Sequence, residues 1–102
     1  MPDWLRSWLH HALIGEIYPE IRAIAAKFSD ARILTVRYYL DRVPTGYDRE
    51  SLRGVIDIVL SNTSHAGQIA DVTEECIHFE GHQSEMESLN GFLYARREYD
   101  YD

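Results

Sequence analysis

The clearest hydrophobic pattern in the chain runs through residues 44–62, PTGYDRESLRGVIDIVLSN. Leu52, Val55, Ile56, Val59 and Leu60 recur at i, i+3, i+4, i+7 and i+8, which lines them up along one stripe of a helix. Arg49, Arg53, Asp57 and Ser61 fall on the opposite side, where water solvates them. The entry is also marked: Pro44 is a stiff lead-in, Thr45 suits the N-cap, and Asp48 three residues on completes a capping-box-like pair at the positive helix end. Burial of those five apolar side chains is worth about 1.5–3 kcal/mol each, so this helix organises the core. Gly54 interrupts the pattern, and either close approach of a sheet or a tolerated weak position accounts for it.

Before this helix, Trp4, Leu5, Trp8, Leu9, Ala12 and Leu13 form a broad stripe that predicts a first helix, opened by Pro2 and Asp3 and stopped near Gly15. Tyr18-Pro19 then forces a turn or extended backbone. Residues 20–28 alternate, with Ile24, Ala26 and Phe28 on one side and Ile21, Ala23, Ala25 and Lys27 on the other, although the alanines leave a helical reading open. Residues 32–42 read as a second strand, with Leu34, Val36, Tyr38 and Leu40 facing the helices and Ile33, Thr35, Arg37, Tyr39 and Asp41 facing away. A third strand is expected over about 69–80, where the opposite parity of Val72 and Ile77 predicts a bulge or an edge position. Residues 92–99 read as the last strand and YDYD as a fraying tail. The order α-β-β-α-β-β predicts a single-domain α+β fold, a two-layer sandwich of two hairpin-like strand pairs in an antiparallel four-stranded sheet with helices on one face.

Composition narrows the class. A chain of 102 residues, 45% hydrophobic, buries one core. No run of eighteen apolar residues spans a membrane, and His10, His11 and Arg6 interrupt the N-terminal stretch where a secretory signal stays apolar, which predicts a cytoplasmic protein. The single Cys76 precludes an internal disulfide. Charge is uneven: residues 1–70 hold eight acids and eight bases, whereas residues 71–102 hold nine acids against Arg96 and Arg97. Asp71, Glu74, Glu75, Glu80, Glu85 and Glu87 follow one another with no lysine or arginine between them. Such a run disfavours direct contact with nucleic acid and suits a basic partner, or solubility alone.

Little in the sequence points to catalysis. Cys76, His78 and His82 are the only grouping with metal-ligand chemistry, and their C-x-H-x3-H spacing matches no standard zinc motif and lacks a fourth ligand, so neither metal nor cofactor is expected. Cys76 has no orienting third group for a nucleophilic role. His10 and His11 point about 100° apart on a helix, and Glu74 and Glu75 point to opposite sides of a strand, so neither pair forms a chelate or an acid–base couple. These readings describe a binding domain rather than an enzyme. Arg37 and Tyr39 on the outer side of the second strand, neighbouring Tyr94 and Arg96 of the last, form one candidate interface surface.

Several strings carry a family resemblance: EIYPEIRAIA, RYYLDRVPT with DRES following, EEC, and GFLYARREY. Together they resemble small bacterial immunity proteins found beside toxins of contact-dependent growth inhibition and related polymorphic toxin systems. The resemblance implies a cytoplasmic protein that binds one cognate toxin domain, often a nuclease, and blocks it by stoichiometric occlusion. A toxin that works on nucleic acid presents a basic cleft, which makes Glu74, Glu75, Glu80, Glu85 and Glu87 the leading candidate contacts, with Arg37, Tyr39 and Tyr94 as the competing surface. Two other classes stay open, a metal- or ligand-binding protein using Cys76, His78 and His82, and an adaptor subunit that pairs through a sheet edge.

Overall fold

The computed structural model describes residues 1–98, so the YDYD tail lies outside the described residues, and the last strand, expected to run to Tyr99, ends at Ala95. Helix α1 spans Asp3–Ala12 and helix α2 spans Gly46–Asn62. The α1 stripe buries Leu5, Leu9 and Ala12, with Leu13 just beyond, while Trp4 and Trp8 flank it half-buried. In α2 the stripe buries Leu52, Val55, Ile56 and Val59 and half-buries Leu60. The capping box forms as the sequence predicts, with the Asp48 carboxylate accepting from the Thr45 N–H at 2.7 Å. The helices run antiparallel: Trp4 at the start of α1 stacks on His65 beyond the end of α2, and Tyr18 beyond α1 meets Tyr47 at the start of α2. A Cβ built on Gly54 meets nothing within 4 Å, so of the two alternatives the tolerated weak position, not a closely packed sheet, accounts for it.

Four strands, β1 (Ile21–Phe28), β2 (Ile33–Leu40), β3 (Asp71–His78) and β4 (Phe92–Ala95), form one sheet in the order β3-β2-β1-β4. The β1–β2 and β1–β4 pairs are antiparallel, but β2 and β3 are parallel, so the sheet is mixed rather than wholly antiparallel. The cause is the connection. The seventeen residues of α2 rise about 25 Å, close to the roughly 26 Å length of the eight-residue β2. The helix therefore carries the chain back to the end where β2 began, and β3 starts again in the same direction. The third and fourth strands accordingly form no hairpin and occupy the two opposite edges of the sheet.

Both faces of the sheet are covered. The main core joins the helix stripes to Ile24, Ala26, Leu34, Val36, Tyr38 and Leu40, as the strand parity predicts. A register shift between Ile21 and Ala23 brings Ile21 into this core as well, against its parity with Ala23 and Ala25. On the other face Ala23, Ala25 and Tyr39 pack with Met86, bordered by Ile77, Phe79, Leu89 and Phe92. The 79–91 connection crosses this face from the β3 edge to the β4 edge. The small Ala23 and Ala25 side chains leave room for Met86, which explains why alanines occupy a central strand. The Val72–Ile77 parity conflict resolves here too. The register of β3 on β2 is unbroken, β3 is an edge strand, and Val72 serves the helix-side core while Ile77 serves the second one.

Candidate functional site

The acidic run divides into two groups with different surroundings. On β3, Glu74 points to the helix side and pairs with Arg53 of α2 at 3.1 Å, while Glu75 points to the outer face and pairs with Arg37 of β2 at 3.0 Å. Their charges are largely balanced within the molecule. Beyond β3 the chain enters the crossing connection, where the Glu80 and Glu87 side chains are 85% and 72% exposed, and Glu85 is exposed as well. Glu80 approaches His78 at 3.6 Å and Glu87 approaches Arg37 at 3.5 Å, both loose contacts in water.

This acidic connection is held at successive points. Arg22, one of two charged side chains in a strand otherwise rich in alanine, is nearly buried and donates to the Phe79 and Gly81 carbonyls at 2.6 and 2.9 Å. Its other nitrogens grip Glu98 at 2.8 and 2.6 Å, and that bidentate pair raises the Arg22 pKa and lowers that of Glu98. Gln83 Nε2 donates to the carbonyls of Arg22 and Arg96, at 3.0 and 2.9 Å. Tyr39, only 2% exposed, donates its hydroxyl to the Glu87 carbonyl at 2.8 Å and accepts from Arg37 at 3.0 Å. Asn90 closes the crossing by donating its N–H to the Ala26 carbonyl at 2.9 Å and accepting from the Phe28 N–H at 2.8 Å. Gly91, at φ 137°, then turns the chain into β4 with a backbone that suits only glycine. Glu80, Glu85 and Glu87 are thus displayed from a fixed backbone.

The competing surface is not assembled. Arg37 and Tyr39 lie beneath the crossing connection, and β1 separates their strand from β4. Tyr94 pairs opposite Ile24 and packs on the helix-side core, the other face of the sheet. The expectation that these residues neighbour one another failed because it assumed adjacent second and last strands. Arg37 and Tyr39 instead support the loop that carries the acids.

Cys76, His78 and His82 are likewise not gathered. Cys76 packs against the helix-side core, and burial raises the pKa of its thiol. The His82 ring meets the Ser84 hydroxyl at 2.7 Å. Among the described residues no three His, Cys, Asp or Glu side chains come together as a metal site. His10 and His11 are exposed, the latter edge-on to Trp8.

A second polar centre was only half legible. Asp48 is fully buried (0% exposed) and accepts from both terminal nitrogens of Arg42, from the Tyr18 hydroxyl, and from the Thr45 hydroxyl and N–H. Burial acts to raise its pKa, but the bonds from Arg42, Tyr18 and Thr45 outweigh it and hold the carboxyl at about 2. Spacing identifies Asp48 as a helix cap. Its partner Tyr18, thirty residues away, gives no local signal.

Among the described residues no helix is long and apolar enough to cross a membrane. No curated protein matches the chain. A family profile described as MafI2 immunity protein matches residues 2–98, nearly the whole chain and all of its helices and strands. The fold just described, with its rigidly held acidic crossing, is therefore that of a chain that belongs to the MafI2 immunity protein family.

Proposed function

We propose that this protein neutralises a cognate toxin by binding its toxic domain directly, one to one, in the cytoplasm, and that the toxin is a basic protein acting on nucleic acid. The observation that carries the reading is the run of exposed Glu80, Glu85 and Glu87 on a pinned backbone, with no lysine or arginine from residue 71 to residue 95. Three carboxylates on a fixed frame oppose a basic cleft without first having to be ordered, so the charge acts on the encounter and not only on solubility. Glu74 and Glu75 add to the same field from β3, but Arg53 and Arg37 already offset them. Inhibition then needs no chemistry: a bound immunity protein covers the surface along which the negatively charged substrate enters.

The test is association kinetics against a catalytically inactive form of the toxin domain encoded beside the gene. The Glu80→Lys/Glu85→Lys variant is expected to associate at least about tenfold more slowly than wild type. The wild-type rate should fall as salt rises, because exposed charges are screened beyond about 8 Å at physiological ionic strength. Toxin activity titrated with wild-type protein should reach its end point at one equivalent. Association of the double variant at the wild-type rate would remove the acidic crossing from the mechanism.

A further inference from the structure

We infer that a rigid apolar end of the molecule, formed by Ile14, Ile17, Val43 and Tyr47, is the anchor that holds the basic toxin domain once the acidic crossing has drawn it in; this rests on the immunity reading above. These four are the exposed large hydrophobic residues of the described chain, at 76%, 39%, 68% and 64% exposure. Single exposed hydrophobics are ordinary. Here all four sit on two connections, between α1 and β1 and between β2 and the first turn of α2, which meet at one end of the molecule. Concentration of this kind marks an interaction surface.

The two connections are tied to each other by the buried Asp48. Its carboxylate binds Tyr18, next to Ile17, and Arg42, next to Val43, while the Tyr47 ring stands edge-on to Tyr18 at 5.1 Å between centroids. The patch is therefore ordered before any partner arrives, and docking on it loses little conformational freedom. A tyrosine beside aliphatic side chains on a fixed frame is the composition of an interface centre.

The rim identifies the occupant. Glu16 and Glu20 lie on the same connection as Ile14 and Ile17, and Glu50 follows Tyr47 by three residues on α2; none forms an ion pair among the described residues, against Arg49 on the same helix turn. Arg42 is committed to Asp48, and Arg96 to Asp41 and Glu98. On the sheet side, Asp41, two residues before Val43, lines one cleft with His78, Glu80 and Arg96, which links the β2–α2 connection to the start of the acidic crossing. An acidic rim on a chain of net charge −7 repels a second copy and an anionic lipid surface, and it fits a partner with an apolar centre in a basic surround. Steering and anchoring then fall to neighbouring surfaces, the first governing the association rate and the second the dissociation rate.

The experiment uses the full chain and the same inactive toxin domain. Val43→Ser/Tyr47→Ser should raise the dissociation rate at least tenfold while leaving the association rate within twofold. Ile14→Ser, at an exposed side chain that makes none of the Asp48 bonds, should raise dissociation about threefold with an unchanged melting temperature. Wild-type dissociation from both variants, in a preparation whose wild type binds toxin, would overturn the anchor and leave the immunity reading standing. Absence of any wild-type binding to the toxin domain would overturn both. Dimerisation of the wild type, abolished in the variants while toxin dissociation stays unchanged, would assign the patch to a second copy and overturn the inference.

Discussion

Replacing Asp48 by asparagine keeps the shape of the side chain and removes its charge, which makes it the sharpest probe of the frame beneath the patch. The carboxylate is fully buried and accepts five hydrogen bonds, from Arg42 (two), Tyr18 and Thr45 (two). An amide turns one of its two polar atoms from acceptor to donor, facing donors already in place. Breaking a buried pair costs about 3–5 kcal/mol, and because the Arg42 side chain is 33% exposed and rehydrates in part, a loss of about 3 kcal/mol is expected. A second magnitude comes from titration. A carboxyl held at about 2 instead of 3.8 contributes roughly 2.5 kcal/mol at neutral pH, at about 1.4 kcal/mol per pKa unit. Since the folded value is depressed, this stability is fully present above about pH 4 and is lost as pH falls from about 4 to about 2. Urea unfolding at pH 7, pH 5 and pH 2.5, followed by the fluorescence of Trp4 and Trp8, measures both quantities. Between pH 5 and pH 2.5 the wild type should lose about 1.5 kcal/mol more than Asp48→Asn. A variant as stable as wild type, or one with the same loss on acidification, would refute the account of Asp48 as an ionised clamp.

Two further outcomes test the helix assignments. Val55→Asp buries an unpaired charge under α2 and should cost several kcal/mol, whereas Arg53→Asp, on the exposed face, should melt close to wild type despite losing its pair with Glu74; equal melting temperatures would show the buried face to be wrong. Gly54→Ala should raise stability by about 1 kcal/mol in chemical denaturation, because the added methyl meets nothing within 4 Å and helical alanine replaces helical glycine.

What a short window of sequence determines is the face of each element. The stripes of α1 and α2, the capping box at Thr45 and Asp48, and the alternation of Leu34, Val36, Tyr38 and Leu40 were all legible, because helical and strand periods report directly which side chains meet a core. The acidic run and the strings resembling immunity proteins were legible for the same reason, being local. What tertiary structure decided is which elements lie side by side. The parallel β2–β3 pair follows from the match between the length of α2 and the length of a strand, and the crossing of residues 79–91 follows from the trough that Ala23 and Ala25 leave for Met86. Those two facts moved Tyr94 to the opposite face from Tyr39 and left Glu80, Glu85 and Glu87 outward while Arg53 and Arg37 took up Glu74 and Glu75. The tie from Tyr18 to Asp48 belongs with them. A polar contact spanning thirty residues has no period to betray it and exists only because two antiparallel helices bring the end of one connection to the start of another.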